Sequence, residues 1–344
     1  MKIAVLSPVA WRTPPRHYGP WEQVASNLTE GLVNAGHEVT LFATADSITS
    51  ARLDAVVSKG YEEDPNQDAK VAECLHISNL MEKASQFDII HNHFDFLPLT
   101  WSRLISTPII TTIHGFSSPR IIPVFKKYNT TCYYVSISHS DRSPDLNYIA
   151  TVYNGLNTED FVFSDTPSDY LLYFGRIHHD KGTAEAIEIA RKCKMKLLIA
   201  GIIQDEKYFE QFVRPFLNDD IQYIGPAGPR QRNQLLGNAR ALLHPINFRE
   251  PFGMSVAEAM LCGTPVIAFN KGSMPELITH GQTGFLVSNI QEAVEAVTRI
   301  PSIRRHDCHH WARQKFSKEK MVSDYLQLYK QILTQKQHPV SYYH

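Results

Sequence analysis

The sequence has almost no excess charge and no long hydrophobic run. Its 34 basic and 35 acidic side chains give a formal net charge of −1 at pH 7, so no overall positive field favours nucleic acid or an anionic membrane surface. No apolar run approaches the roughly 18 residues that span a bilayer. These absences give no support for a nucleic-acid partner and leave at most peripheral membrane contact.

Cysteines are few and far apart. An odd count of five with no CxxC pair argues against a redox or zinc motif. The apolar start of the chain is interrupted at Ser7 and Pro8, and Arg12 and Arg16 follow closely, which argues against a signal peptide. We therefore expect reduced thiols and a cytoplasmic location. The cysteines are Cys74, Cys132, Cys193, Cys262 and Cys308.

Two nucleotide-binding signatures are missing as well. Neither half of the chain has GxGxxG after a predicted strand, and GxxxxGK[ST] does not occur, which argues against a nicotinamide enzyme and a P-loop phosphotransferase. The 344 residues are more than twice the length of a typical domain of about 150 residues. Two domains, each with a buried core, are therefore expected.

The first half alternates strands and helices. Residues 2–6 are predicted to form a buried strand, residues 20–35 a helix and residues 38–43 a second strand, which together make a βαβ unit. Further strands are predicted at residues 88–91, 108–113, 132–137 and 149–152. We expect one open, mostly parallel sheet in an N-terminal domain of residues 1–157.

The second half repeats this alternation after a polar stretch at residues 158–169, the predicted linker. Strands are predicted at residues 170–174, 196–200, 221–224, 241–244 and 265–269, and helices at 183–192, 206–216, 229–237 and 253–261. The predicted fold class is α/β, with two Rossmann-like doubly wound domains facing a central cleft. The second domain would span residues 158–316.

Two cations follow the first strand of the second half. Arg176 and Lys181 stand five residues apart between a predicted strand end and a helix start. A guanidinium fork and an ammonium point charge can hold a diphosphate and balance its charge as it leaves. Spacing alone fits surface charge in a loop equally well.

Two carboxylates surround another predicted helix start. The proline and glycine between them place Glu250 in the loop before the helix and Glu258 on its second turn. Free N–H groups at a helix start suit phosphate, while a loop carboxylate can accept hydrogen bonds from sugar hydroxyls. By composition alone, Glu258 is equally a solvated helix residue. Glu276 is interpreted as part of a capping box that begins at Ser273.

This combination resembles the GT-B glycosyltransferases of family four, which are retaining enzymes with nucleotide-sugar donors. Glu250 to Glu258 matches the family's E-x7-E motif, and Arg176 with Lys181 matches its phosphate-binding strand end and loop. The resemblance implies that these two cations contact the donor diphosphate, that Glu250 holds the transferred hexose and that Glu258 contacts the ribose. The other donor-binding residues it implies are Gly19, Gly225, and Phe252, Gly253 and Met254 through their backbone N–H groups.

The resemblance extends to the first half. Residues 111–115 resemble the family's strand that ends in a histidine beside the reacting carbon, which makes His114 a catalytic candidate together with Arg176, Lys181 and Glu250. Residues 18–22 align with the family's glycine-rich loop. Pro20 stands where the family has the second of two adjacent glycines and removes its N–H.

The loop after the first strand is dense in aromatic and cationic residues. Trp11, Arg12 and Arg16 are candidate acceptor contacts, because sugars stack on indoles and arginines donate to hydroxyls or anions. Packing within the loop explains these residues almost as well. Residues 317–333 are predicted to form a helix with one apolar face, and the resemblance implies that residues 317–344 cross back to the N-terminal domain.

Sixteen histidines raise the question of a metal site. His91 and His93 would share one face of a strand, followed by Asp95, but two nitrogen ligands without a clear third make a weak site. The two cations near the second sheet can balance a diphosphate without a divalent ion. We therefore expect no metal and no cofactor apart from the nucleotide-sugar substrate. The histidines interpreted as solvated surface are His178, His179 and those in residues 306–310.

The sequence thus predicts a retaining hexosyltransferase. It would move a hexose from a donor of UDP-glucose or GDP-mannose type to an acceptor hydroxyl of a glycan or another glycoconjugate precursor. Two rival functions stay open: a sugar-nucleotide epimerase of the same fold, and a noncatalytic carbohydrate-binding protein. Conversion of donor without an acceptor distinguishes the epimerase, and binding without turnover distinguishes the binding protein.

Overall fold

A computed structural model describes residues 1–16, 18–116 and 118–337. The chain divides into two compact units. Unit 1 comprises Met1–Ile137, Arg142–Leu156 and the helix Lys318–Gln337, and unit 2 comprises Ser138–Asp141 and Asn157–Ser317. Each unit contains one parallel sheet with helices in its connections. The predicted α/β fold class, with two Rossmann-like sheets, is confirmed.

Unit 1 is built on a seven-stranded sheet in the order β3-β2-β1-β4-β5-β6-β7. The order reverses direction between β1 and β4, and ligands of open parallel sheets bind beyond the carboxyl ends of the strands at such a point. The strands are β1 (Lys2–Leu6), β2 (Glu38–Phe42), β3 (Arg52–Asp54), β4 (Ile89–Asn92), β5 (Ile109–Ile113), β6 (Cys132–Ser136) and β7 (Tyr148–Thr151), and the intervening helices are α1 (Pro20–Asn34), α2 (Ala69–Met81) and α3 (Ile122–Lys127).

Unit 2 is built on a six-stranded sheet in the order β10-β9-β8-β11-β12-β13. Its order reverses between β8 and β11, which marks the equivalent position in this sheet. The strands are β8 (Tyr170–Phe174), β9 (Lys196–Ala200), β10 (Ile221–Gly225), β11 (Ala241–His244), β12 (Val266–Phe269) and β13 (Gly284–Val287), and the helices are α4 (Thr183–Cys193), α5 (Glu206–Phe212), α6 (Pro229–Asn238), α7 (Met254–Leu261), α8 (Met274–Leu277), α9 (Ile290–Arg299) and α10 (Arg305–Phe316).

The sheet of unit 1 is buried on both faces. Ile3 and Val5 on β1 pack into one hydrophobic cluster, whereas Ala4 and Leu6 on the same strand pack into another. Successive side chains of a strand point to opposite faces, so a strand covered on both sides is apolar throughout. This explains why the sequence shows continuous rather than alternating hydrophobic runs.

The last described helix, α11 (Lys318–Gln337), belongs to unit 1. Tyr325 and Tyr329 on this helix are buried in the same cluster as the residues of α1. Gly31 on α1 makes the close approach possible, because a Cβ atom there would lie 2.3 Å from Cγ2 of Val322. The end of the segment predicted as residues 317–344 lies outside the described residues.

Several predicted elements need correction. The helix predicted at residues 206–216 ends at Phe212 and is followed by a 3₁₀ turn at Arg214–Phe216, because Pro215 has no N–H for a continuing helix and disfavours helical backbone at the residue before it. The sequence pattern also missed β3, β13, α9 and α10. The histidines of residues 306–310, predicted to lie on a solvated surface, are on α10, where His306 and His310 are exposed.

Within residues 1–16, 18–116 and 118–337, no helix combines the length and apolar character that crossing a membrane requires.

Candidate active site

An ion pair lies beyond the carboxyl ends of β8 and β11 in unit 2. The Nζ atom of Lys181, in the connection after β8, lies 2.6 Å from Oε2 of Glu250, in the connection after β11. Both side chains are largely buried, at 15% and 12% exposure. The structure thus brings together two of the predicted site residues at the point where the strand order reverses.

Close backbone packing holds these two connections together. Gly182 has a positive φ of 76°, and a Cβ atom there would lie 1.9 Å from the carbonyl oxygen of Pro245. The backbone N–H of Asn247 donates to the carbonyl of Asp180 at 2.7 Å. On the other side of Glu250, the N–H of Ser273 donates to the Glu250 carbonyl at 3.0 Å. The ion pair is therefore set on rigid loops.

Two rings lie close to the ion pair. The Lys181 ammonium is 4.6 Å from the centre of the Phe248 ring, and Nε2 of His244 lies 3.8 Å from Oε2 of Glu250. Burial lowers the pKa of His244 to about 4, although the Glu250 carboxylate opposes this shift. His244 is therefore neutral at pH 7. The sequence reasoning missed both residues, although His244 could be found as the last residue of a strand that leads into the site.

Arg176 lies just after the end of β8, as predicted. Its guanidinium donates to the side-chain oxygen of Gln204, which follows β9. The loops after β8 and β9 approach closely because Gly201 has no side chain, and a Cβ atom there would lie 1.8 Å from the Gly175 carbonyl oxygen. Gly225 ends β10 with a positive φ of 79° and open space beside it.

Helix α7 carries the second carboxylate of the E-x7-E motif. Glu258 is buried on its second turn and lies 3.3 Å from the guanidinium of Arg232 on α6. Burial raises the pKa of Glu258, and Arg232 opposes that rise. The alternative of a solvated helix residue is therefore wrong. Arg232 was missed, because its sequence spacing to Glu258 gives no hint that α6 and α7 are neighbours.

The start of α7 is shaped by a glycine in a left-handed conformation and by buried packing. Gly253 caps the helix with a positive φ of 95°, in the left-handed region that favours glycine. Phe252 is buried, and its carbonyl accepts a hydrogen bond from the Ser273 hydroxyl at 2.6 Å. The first N–H groups of a helix, beginning here at Met254, have no partner within the helix and can bind anions.

The capping-box interpretation of Glu276 is wrong. Ser273 makes no side-chain cap to α8, because its hydroxyl is committed to Phe252. The Glu276 carboxylate instead accepts hydrogen bonds from the backbone N–H groups of His139 and Ser140, both at 2.8 Å. Glu276 therefore holds the segment Ser138–Asp141 within unit 2, a long-range contact that a local sequence pattern does not reveal.

In unit 1, His114 follows β5 and belongs to a buried group of histidines. Its Nε2 lies 2.9 Å from Nδ1 of His93, at the end of β4. The ring of Trp21 stacks on His114 with the ring centres 5.6 Å apart. Burial lowers the pKa of His114 to about 3. His114 is therefore a neutral hydrogen-bonding group at pH 7.

The glycine loop before α1 is tightly packed around a buried carboxyl group. Gly19 has a φ of 152°, and a Cβ atom there would lie 2.8 Å from Oε2 of Glu22. Glu22 is only 3% exposed, and burial raises its pKa to about 7, while backbone hydrogen bonds from Glu22 and Trp11 oppose the rise. The sequence reasoning did not single out Glu22.

The three candidate acceptor residues make contacts within unit 1. Arg16 pairs with Asp46 at 3.1 Å and with Glu63 at 2.8 Å. Arg12 donates to the carbonyl of Pro14 at 3.0 Å, and the Trp11 ring meets the ring of Tyr18 edge to face. These contacts order the loop, and the acceptor role of its residues stays a prediction.

The histidines considered for a metal site have other partners. Nδ1 of His91 lies 2.5 Å from the Tyr329 hydroxyl, and its Nε2 lies 2.7 Å from the Thr112 hydroxyl. In the described part of the chain, one group of three possible metal ligands lies together, with donor atoms within 4.8 Å of one another. The group consists of His178, His179 and Asp205. Sequence spacing missed it because Asp205 comes from the start of α5.

Two family models match consecutive parts of the chain. The model described as glycosyltransferase family 4 matches residues 21–160, and the model described as glycosyl transferases group 1 matches residues 158–317. Glycogen synthase of Mycobacterium tuberculosis is 22% identical to this chain. The match covers 92% of this chain and 90% of the glycogen synthase.

Solved structures show the same fold. Sucrose-phosphate synthase from Thermosynechococcus elongatus has a TM-score of 0.79 at 18% identity and covers 97% of this chain and 99% of its own. Anabaena HepE in complex with UDP and glucose has a TM-score of 0.72 at 17% identity and covers 96% of this chain and 100% of its own. The two sheets thus define a GT-B glycosyltransferase fold. Together the two models match residues 21–317, so the chain is a glycosyltransferase, an enzyme of carbohydrate biosynthesis.

Proposed function

We propose that this enzyme transfers a hexose from a nucleoside-diphosphate sugar to an acceptor hydroxyl, with retention at the anomeric carbon and without a metal ion. The donor site we propose is in unit 2, at the carboxyl ends of β8 and β11. The observation that carries the proposal is the pairing of Lys181 with Glu250 at 2.6 Å. It sets a cation suited to phosphate beside a carboxylate suited to sugar hydroxyls.

The charges that would face the donor diphosphate come from three sources. Lys181 and Arg176 supply full positive charges, and the start of α7 at Met254 supplies N–H groups and the positive end of the helix dipole. Fixed donors aimed at a developing negative charge are a major source of catalytic rate acceleration. Stabilisation of the departing diphosphate is accordingly the main catalytic contribution that we assign to unit 2.

The two carboxylates are assigned different roles. Glu250 would accept hydrogen bonds from hexose hydroxyls while Lys181 fixes its orientation, and Glu258 would accept hydrogen bonds from the ribose. Glu258 is buried beside Arg232, so its carboxylate is held in one place. In the reaction that we propose, the bond from the anomeric carbon to the leaving phosphate oxygen breaks. The acceptor oxygen bonds to the same face, and its proton passes to the leaving phosphate.

A solved neighbour supports a uridine diphosphate sugar as the donor, whereas GDP-mannose is an expectation from the sequence. The Anabaena neighbour was crystallised with UDP and glucose and with UDP-glucose, so UDP-glucose is the first donor to test and GDP-mannose the second. The acceptor that we propose is a glycan or another glycoconjugate precursor. His114 stays a catalytic candidate in unit 1.

A panel of nucleotide sugars tests the proposal. A ligand at one hundred times its dissociation constant stabilises the folded state by about 2.7 kcal/mol, so the true donor should raise the melting temperature above all others. Incubation of that donor with and without acceptor saccharides follows, with NMR of the product's anomeric centre. Retained configuration in an acceptor-dependent product supports the proposal. Conversion of the donor alone to an epimer, or binding without turnover, would contradict it.

A further inference from the structure

His93 and His114 form a buried pair in unit 1 that the proposed chemistry of unit 2 does not use. Nδ1 of His93 lies 2.9 Å from Nε2 of His114, which is hydrogen-bond distance. His93 is fully buried, and His114 is 8% exposed. One of these two nitrogens donates and the other accepts, so one proton lies between them.

The orientation of the His93 ring is itself fixed by stacking against His91. His91 stacks on His93 with the ring centres 4.3 Å apart and the planes 24° apart. Both ring nitrogens of His91 are bound, Nδ1 to the hydroxyl of Tyr329 and Nε2 to the hydroxyl of Thr112. Buried packing and bound partners on this side leave the His93 ring little freedom to rotate.

The hydrogen bond to His93 occupies one ring nitrogen of His114 and leaves the other available. Its Nε2 faces His93, and its Nδ1 has no hydrogen bond to any described residue. The Trp21 ring covers one face of the imidazole, with the planes 20° apart. Burial keeps both histidines in the neutral form, with the pKa of His93 lowered well below its ordinary value. A neutral ring held at Nε2 has one free nitrogen to offer.

We propose that His93 is a positioning residue, which occupies Nε2 of His114 and so makes Nδ1 the atom through which His114 contacts a ligand. The arrangement of the two rings is a property of the folded chain alone. Its effect on sugar transfer rests on the proposed function. The two statements can therefore be tested separately.

NMR of the ligand-free, full-length enzyme with ¹⁵N-labelled histidine tests the ring arrangement. A hydrogen bond between two imidazole nitrogens carries a scalar coupling between them, so His93 Nδ1 and His114 Nε2 should show one. His76 provides a matched control, because it is also fully buried in unit 1. Its Nε2 lies 2.9 Å from the Ser7 carbonyl oxygen, and its Nδ1 has no hydrogen-bond partner among the residues that the structure describes. His76→Leu should keep the coupling and His93→Leu should abolish it. Absence of the coupling in the wild type would overturn the proposal.

Kinetics of three variants tests the positioning role. In His93→Asn the side-chain amide reaches the place of Nδ1 and can still pair with His114, whereas leucine cannot. We expect His93→Leu to lower kcat at least tenfold, and His93→Asn to recover most of it. His76→Leu should lower the melting temperature but keep kcat. Equal kcat in His93→Leu and His76→Leu would overturn the positioning role.

Failure of the proposed function gives a different result. If the wild type shows the coupling but transfers sugar from no nucleotide sugar, the ring arrangement stands and the proposed transfer reaction falls.

Discussion

The ammonium nitrogen of Lys181 lies 2.6 Å from a carboxylate oxygen of Glu250. The two residues are 69 positions apart in the chain, and their connections follow the two strands between which the sheet order of unit 2 reverses. Each was assigned a separate role from the sequence, one toward diphosphate and the other toward sugar. The structure makes them one buried unit, so a change in either affects the other.

The first prediction concerns the stability of this pair. Lys181→Met leaves the Glu250 carboxylate buried without its cation, which should lower the free energy of unfolding by about 3 kcal/mol. Adding Glu250→Gln removes the unpaired charge and should recover part of that loss. Chemical denaturation of both single variants and the double variant measures the coupling. If the loss of unfolding free energy in the double variant equals the sum of the losses in the two single variants, the predicted coupling between Lys181 and Glu250 is contradicted.

A second prediction concerns turnover. Arg176→Ala and Lys181→Ala should each lower kcat by roughly ten- to a thousandfold, because each removes a fixed positive charge from the leaving diphosphate. Lys192→Ala is the matched control, since Lys192 on α4 is 48% exposed and its ammonium lies 3.5 Å from Glu188. Its kcat should equal that of the wild type. Near wild-type turnover in both test variants would remove the diphosphate assignment.

The third prediction concerns metal ions. Activity should survive EDTA, because two cations and a helix start are available for the leaving group. His179→Ala disrupts the group of possible ligands formed with His178 and Asp205, and it should leave the response to EDTA unchanged. Complete loss of activity with EDTA, reversed by Mg²⁺ or Mn²⁺, would overturn metal independence.

The fourth prediction follows from the buried carboxyl group of Glu22. Burial raises its pKa from 4.5 to about 7, so between these pH values the folded chain binds a proton that the unfolded chain has released. The contribution to stability is therefore full below pH 4.5 and is lost as the pH rises toward 7. A difference of this size corresponds to about 3 kcal/mol.

Glu22→Gln should remove this loss. The variant should match the wild type near pH 4 and exceed it in melting temperature at pH 8. Glu30→Gln on the same helix is the control. The Glu30 carboxylate accepts hydrogen bonds from Thr49 and Ser50, so this variant should have a lower melting temperature than the wild type. If Glu22→Gln and the wild type have the same melting temperature at pH 8, burial of the ionised Glu22 does not destabilise the folded state, which would contradict the prediction.

Most of the fold could be predicted because buried parallel strands have short, continuous apolar sequences. β1 and β8 occur at their predicted bounds, since Lys2–Leu6 and Tyr170–Phe174 stand out from their polar flanks. β13 escaped prediction because it has four residues and starts with glycine. That glycine is required by packing, since a Cβ atom at Gly284 would lie 2.1 Å from the Val266 carbonyl oxygen.

The site could be predicted only where its residues follow strand ends or helix starts. Lys181 and Glu250 were found in this way, whereas Arg232 and Gln204 were missed because their importance depends on which elements are neighbours. The position of Glu276 shows the same limit. A serine three residues before a glutamate has the spacing of a capping box, yet the carboxylate binds the backbone of His139 and Ser140, more than 130 residues away.

Titration with nucleoside diphosphate tests the assignment of the two carboxylates most directly. Calorimetry of the wild type, Glu250→Gln and Glu258→Gln would use the diphosphate of the donor that the stability panel selects. Glu250 is assigned to the hexose, so Glu250→Gln should bind the diphosphate nearly normally while turnover falls. Glu258→Gln should weaken diphosphate binding by about 1.5 to 3 kcal/mol, the range for a hydrogen bond to a charged group. Loss of diphosphate binding in Glu250→Gln, with normal binding in Glu258→Gln, would contradict the donor site proposed here.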